Sequence, residues 1–188
     1  MFTMPETADQ RLAISFRVPD AAFLTLAALV VLGTWGLLWY VYPQLPSPLP
    51  THINAAGMVN STSPKTWGLV FFPAIVQTGL TILLTWFWRH PQYSHLPGSV
   101  LLNLAPTPLR QPIVRIIRHS LVMTLLLIDL VFAYVALIMT NLGLGLPVHG
   151  QEWTLVGLVG LMVGLNIVYA VWVKKLVARV QPLVHPTP

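Results

Sequence analysis

The chain has no cysteine, which excludes disulfides, thiolate catalysis and cysteine-ligated metals, and makes the redox state of its compartment irrelevant to its fold. Charge is nearly as scarce. Only 8% of the 188 residues are Asp, Glu, Lys or Arg, five acidic against ten basic, where a soluble domain carries roughly a quarter. A surface facing water on all sides is therefore excluded. The ten basic residues sit beside apolar stretches and form no basic patch, so no nucleic-acid partner is expected. There is also no P-loop, His-Glu-x-x-His helix, nucleophile elbow or Gly-rich dinucleotide turn, which argues against a soluble-type enzyme. What the chain has in excess is apolar side chains, 55% of the total. Their expected partner is the lipid bilayer.

A hydrocarbon core roughly 30 Å thick takes about 20 apolar residues in a helix, because the backbone must satisfy its own hydrogen bonds there. Four segments meet that length: Ala21 to Tyr42, Trp67 to Trp88, Ser120 to Asn141 and Trp153 to Val173. The first is longer than the apolar run of a secretory signal and is preceded by Glu6, Asp9 and Asp20, so it reads as a retained anchor. Trp35, Trp39, Tyr40 and Tyr42 crowd the end of the first span, Trp67, Trp86 and Trp88 bracket the second, and Trp153 and Trp172 bracket the fourth. These are the positions of interfacial aromatic belts. The expected fold class is an all-α integral membrane protein of four transmembrane helices in a bundle, multi-pass in the cell membrane.

Basic residues choose the orientation. Arg11 and Arg17 precede the first span; Arg89, Arg110, Arg115 and Arg118 lie between the second and third; Lys174, Lys175 and Arg179 follow the fourth. Both termini are therefore expected in the cytoplasm. The organisation read from this is a cytoplasmic segment 1–20, a two-span unit 21–90 with an ordered outer loop 43–66, a Pro-rich basic cytoplasmic loop 91–119, a second helical pair 120–176 and a frayed tail 177–188. Pro91, Pro97, Pro106, Pro108 and Pro112 argue against a continuous helix between the second and third spans.

The outer loop runs Tyr42-Pro43-Gln44-Leu45-Pro46-Ser47-Pro48-Leu49-Pro50-Thr51-His52-Ile53-Asn54-Ala55-Ala56-Gly57-Met58-Val59-Asn60-Ser61-Thr62-Ser63-Pro64-Lys65. Its prolines predict an extended, polyproline-like exit from the membrane, and Asn54 and Gly57 supply turn chemistry. Leu45, Pro46, Pro50, His52, Asn54, Gly57 and Lys65, followed directly by a second span, resemble the N-terminal membrane domain of SdpI-type bacterial proteins. That pattern reads Leu-Pro, Ile-Pro, x-His-Phe-Asn-x-x-Gly, an acidic residue and Gly-Ser-Lys. This chain departs from it at Ile53 in place of Phe, Asn60 in place of Asp, and Ser63-Pro64 in place of Gly-Ser. The resemblance covers about the first ninety residues. It implies an association with immunity to membrane-active peptides and with signalling at the membrane, a peptide ligand or a membrane or cytoplasmic regulator as partner, and His52, Asn54, Gly57, Asn60 and Lys65 as the loop motif.

His52 has no carboxylate or second histidine beside it in this loop; only His149, with Glu152, can approach from the other outer connection, which is short of the three or four ligands a metal wants. No metal or cofactor is expected, and hydrogen bonds from His52, Asn54 and Lys65 are the favoured way of tying the loop together. Inside the membrane the exception is Asp129, in the middle of the third span; Gln77 lies at matching depth, Asn166 somewhat nearer the cytoplasm, and Thr34 nearer the outer face. They read either as a proton-sensitive or ligand-binding centre or as a protonated Asp129 making one interhelical hydrogen bond. Gly157, Gly160 and Gly164 suggest close helix contact, within the bundle or between copies in a homo-oligomer.

Three functions follow, in this order: a non-catalytic membrane receptor or immunity-type protein that senses or neutralises a membrane-active peptide or lipid-embedded ligand through its outer loop; a small oligomeric proton-coupled transporter using Asp129; and a membrane-embedded enzyme using His52.

Overall fold

The computed structural model describes residues 18–53, 59–94, 107–148 and 151–184. Four helices dominate it: α1 (Val18–Val41), α2 (Trp67–Arg89), α3 (Thr107–Gly143) and α4 (Gln151–Val184). All four are long and apolar enough to cross a membrane. Between α1 and α2 stands an antiparallel hairpin, β1 (Leu49–Ile53) and β2 (Val59–Ser63).

The caps explain where these elements begin and end. Thr66 starts α2 by accepting the Leu69 amide on its hydroxyl at 3.2 Å, satisfying one of the donors that a helix start leaves free. At the far end of α3, Gly145 takes a φ of 70°, the Leu146 amide reaches back to the Asn141 carbonyl at 2.8 Å and the Gly145 amide to Leu142 at 3.1 Å. This is a Schellman closure, which needs the left-handed residue that glycine supplies.

α3 is the centre of the molecule. It packs against α1, α2 and α4, whereas α4 packs chiefly on α3 and leaves most of its apolar surface outward. Leu29, Leu32, Ile82, Leu161 and Ile167 are all more than half exposed, which water would penalise and a bilayer would not. The core forms three apolar clusters along α3, the smallest of them Ala27, Leu125 and Leu126 between the other two. Leu38, Val41, Leu45, Leu49, Val70, Phe71, Ala74 and Ala136 close the hairpin end, while Trp88, Ile113, Val114, Ile117, Leu121 and Val122 close the other. Among the described residues, no atom outside their own helix backbone comes within 4 Å of where a Cβ would sit on Gly157, Gly160 or Gly164, so these glycines lie outside the contact between α3 and α4.

Three expectations change. The first is the polyproline-like path of the outer loop; a five-residue strand pair stands there instead, while the helical fold class with its four long apolar helices is the one observed. Thr51, Ile53, Val59 and Thr62 are the β-branched residues that favour the strand pair. The second concerns the third span and the Pro-rich loop 91–119: the helix starts at Thr107, not Ser120. Pro108 falls in its first turn, where the missing amide would have had no partner, and Pro112 forfeits one bond only. The third concerns the tail 177–188: α4 continues through Pro182 to Val184, and residues 185–188 lie outside the described residues.

Candidate functional site

Three regions concentrate polar or aromatic side chains: the hairpin with its base, the middle of the α2–α3 seam, and the opposite end of the bundle.

The hairpin grows out of α1 through a single 3-10 turn at Tyr42–Gln44, closed by the Leu45 amide on the carbonyls of Val41 (3.2 Å) and Tyr42 (3.3 Å). Leu45 and Leu49 then turn inward and are nearly fully buried, fixing the base of the hairpin to the core. Their methyl groups press on α3 at Gly143, where a Cβ would lie 2.6 Å from Leu45 Cδ2 and 3.3 Å from Leu49 Cδ2. The strands pair Leu49 with Ser63, Pro50 with Thr62, His52 with Ser61 and Ile53 with Val59, with irregularities on both sides of His52. The hydroxyls of Thr51 and Ser61 meet at 3.0 Å.

Lys65 ties the two ends of this excursion together. Its half-buried ammonium donates to the carbonyls of Leu45 at 2.6 Å and Tyr42 at 3.3 Å, and lies 5.2 Å from the centre of the Tyr42 ring. Its own amide donates to Ser47 Oγ at 3.2 Å. Beneath it, Tyr42 stacks on Trp67 at 4.3 Å, Trp67 on Phe71 at 4.7 Å and Phe71 on Trp35 at 5.4 Å, with Trp39 edge-on to Trp67 at 4.8 Å. The Trp35 indole N–H donates to Thr78 at 3.0 Å. The aromatic belt expected at this boundary is thus one continuous stack joining α1 to α2.

Of the loop motif, the structure brings Lys65 into this network and leaves Asn60 exposed on β2. The backbone of His52 pairs in β1, but its side chain, together with Asn54, Gly57 and His149 and the side chain of Glu152, lies outside the described residues.

At mid-membrane, Asp129 and Gln77 are both fully buried and adjacent. Gln77 Nε2 donates to the main-chain oxygen of Asp129 at 3.1 Å. The residue missed by depth counting is Thr81: its hydroxyl lies 2.8 Å from Asp129 Oδ1 and 2.9 Å from the main-chain oxygen of Gln77. The available signal was the four-residue spacing of Gln77 and Thr81, which puts both on one face of α2. Asp129 Oδ2 and Gln77 Oε1 are buried with no hydrogen-bond partner among the described residues. Asn166 does not join this group. It accepts from Thr124, one turn lower on α3, at 3.3 Å and donates to Met162 at 2.8 Å. Thr34 is buried but donates to Val30 of its own helix at 2.9 Å. It borders an apolar cleft of about 420 Å³ between α1, α3 and α4.

The opposite end of the bundle is held by Arg118, whose Nε donates to the Trp88 carbonyl at 3.2 Å while its guanidinium lies 5.7 Å from the Trp88 ring centre. His119 stands 3.7 Å from Asp20 and edge-on to Phe23 and Tyr169, bringing α1, α3 and α4 together.

Three apolar helices packed on a fourth, central one, with polar and aromatic side chains gathered at the boundaries, fit a multi-pass membrane protein. Within it, residues 29–76 match a domain of unknown function, DUF1648. That match spans the second half of α1, the whole hairpin and the start of α2, so it coincides with the Lys65 cap. No curated protein and no solved structure matches the chain.

Proposed function

We propose that the protein is a non-catalytic receptor or immunity-type protein of the cell membrane, with both termini cytoplasmic. Its hairpin cap meets a membrane-active peptide or a lipid-embedded ligand, and the bundle passes occupancy to the basic cytoplasmic end. The observation that carries this reading is the way the cap is anchored. Leu45 and Leu49 pack the hairpin base against α1, α2 and α3 at once and Lys65 ties it to the turn after α1, while Val59 to Thr62 of β2 stay exposed. A surface held rigid but left uncovered loses little entropy when it binds. The resemblance of the same segment to SdpI-type proteins, in the stretch that matches the domain of unknown function, supports the same assignment. Cells lacking the protein should become sensitive to at least one membrane-active peptide, and restoring the wild-type chain, but not a variant deleted for the hairpin, should reverse this. Unchanged sensitivity across a panel of such peptides refutes the proposal.

A second reading, an oligomeric proton-coupled transporter, is favoured by one observation: a fully buried carboxylic side chain at mid-membrane that bridges two helices. In proteoliposomes Asp129→Asn should then abolish proton-driven flux, and full retention of flux removes Asp129 from any transport step.

A further inference from the structure

The buried contact between α2 and α3 is one hydrogen short as an ionised group. The Thr81 hydroxyl sits within hydrogen-bonding distance of two oxygens, Gln77 O at 2.9 Å and Asp129 Oδ1 at 2.8 Å. A hydroxyl has one hydrogen to give. If Asp129 is a carboxylate, both of those oxygens are pure acceptors, so one contact must set two lone pairs against each other at under 3 Å. The energetic penalty of that is compounded by depth, because a buried ionised carboxylate needs a counter-charge or several donors.

Among the described residues no counter-charge faces the carboxyl. From α2 the carboxyl faces Gln77 and Thr81, neither of which titrates. α1 has no ionisable side chain between Phe23 and Trp39, nor has α4 between Trp153 and Val168. On α3 itself the nearest titratable groups are Tyr134, which lines the cleft facing α1 and α4, and, toward the other end, His119 and Arg118, about 15 Å and 16.5 Å away along the helix at its 1.5 Å rise per residue. Arg118 is already engaged with Trp88 and His119 lies beside Asp20.

We propose that Asp129 is a membrane-buried proton-binding site in which the neutral acid donates from Oδ1 to Thr81 Oγ, and Thr81 donates in turn to the main-chain oxygen of Gln77. This one added hydrogen turns the two short contacts into a directed chain, Asp129 Oδ1–H to Thr81 Oγ–H to Gln77 O. The 2.8 Å and 2.9 Å separations suit O–H···O bonds. The second carboxyl oxygen becomes the carbonyl of a neutral acid, for which burial without a partner costs less than for a carboxylate oxygen. Losing the proton forces Thr81 to swing its hydrogen from Gln77 to Asp129, so proton occupancy is coupled to the α2–α3 contact itself. The inference rests on the same buried carboxyl as the transport reading, but not on flux.

Infrared spectroscopy of the protein in lipid bilayers at neutral pH tests it. A carbonyl stretch of a protonated carboxylic acid should be present, should move on ¹³C-aspartate labelling of the wild-type chain, should vanish in Asp129→Asn and should shift in Thr81→Val. Labelling needs no variant, so it reads the site even if a substitution disturbs folding. Absence of a label-sensitive acid band overturns the proposal, and an acid band unmoved by Thr81→Val overturns the Oδ1 assignment. An acid band together with full flux in Asp129→Asn leaves the proton site standing and removes transport. No acid band with flux abolished does the reverse.

Discussion

Replacing Lys65 with methionine keeps the length and most of the apolar stem of the side chain while removing its charge and donors. Two carbonyls, those of Leu45 and Tyr42, lose an ammonium donor at 2.6 Å and 3.3 Å, and the Tyr42 ring loses a cation at 5.2 Å. A buried charge-assisted hydrogen bond contributes about 1.5–3 kcal/mol and an exposed cation–π contact about 0.5–1. Lys65 is only half-buried, so water replaces part of what is lost; the longer bond then contributes little and the shorter one about half its buried worth. The net is about 2 kcal/mol, or roughly a thirtyfold rise in the population of the opened cap. Because the loss falls on the tie between the α1 exit and the α2 entry, the opening is local and not global. Hydrogen exchange in nanodiscs reads it directly. The β1 and β2 amides should exchange about thirtyfold faster in Lys65→Met, with Lys65→Arg between the two, while amides in the middle of α3 stay unchanged. A change below about threefold at the hairpin, or an equal acceleration throughout α3, refutes the role assigned to this lysine.

Gly143→Ala should be nearly neutral in thermal unfolding in detergent, because its Cβ meets only the mobile ends of Leu45 and Leu49, whereas Gly143→Phe should cost about 1–3 kcal/mol by overpacking the hairpin base. A double-mutant cycle between Thr81→Val and Asp129→Asn should give a coupling of roughly 0.6–1.7 kcal/mol, the range of interhelical hydrogen bonds in membranes, and no coupling would contradict the contact seen here. Since the native chain has no cysteine, single cysteines report topology cleanly. Asn60→Cys should react with a membrane-impermeant maleimide on intact cells and Lys174→Cys only after permeabilisation; the reverse pattern inverts the assigned orientation.

The four helices were legible because length and apolarity are summed over about twenty residues, a signal that no single position can spoil. The pairing of Asp129 with Gln77 was legible for a related reason, since helical rise converts residue number into depth. Depth does not report azimuth, however, and so Asn166 was grouped with Asp129 when it faces Thr124 one turn lower. Thr81 was passed over because a threonine within a span ordinarily bonds back to its own helix, and only the facing carboxyl makes it an interhelical group. Prolines misled twice. Pro108 and Pro112 suggest a break but occupy the opening turns of α3, and Pro48 and Pro50 suggest extended coil where the chain enters a strand. Each is compatible with the element found because its absent amide falls where few partners are lost.

The uninterrupted length of α3 has a mechanical consequence. At 1.5 Å per residue its residues Thr107–Gly143 make a rod about 55 Å long, well beyond the roughly 30 Å of hydrocarbon it crosses. One end abuts the hairpin through Gly143, and the stretch beyond mid-membrane is clasped to Trp88 by Arg118. A rod gripped about a third of the way from its Thr107 end behaves as an unequal seesaw: with about 37 Å on the hairpin side of Arg118 and about 16 Å on the other, pushing the hairpin end sideways by an ångström swings the far end by roughly half as much in the opposite sense. A single unbroken helix therefore links the two sides of the membrane without breaking a hydrogen bond of its own.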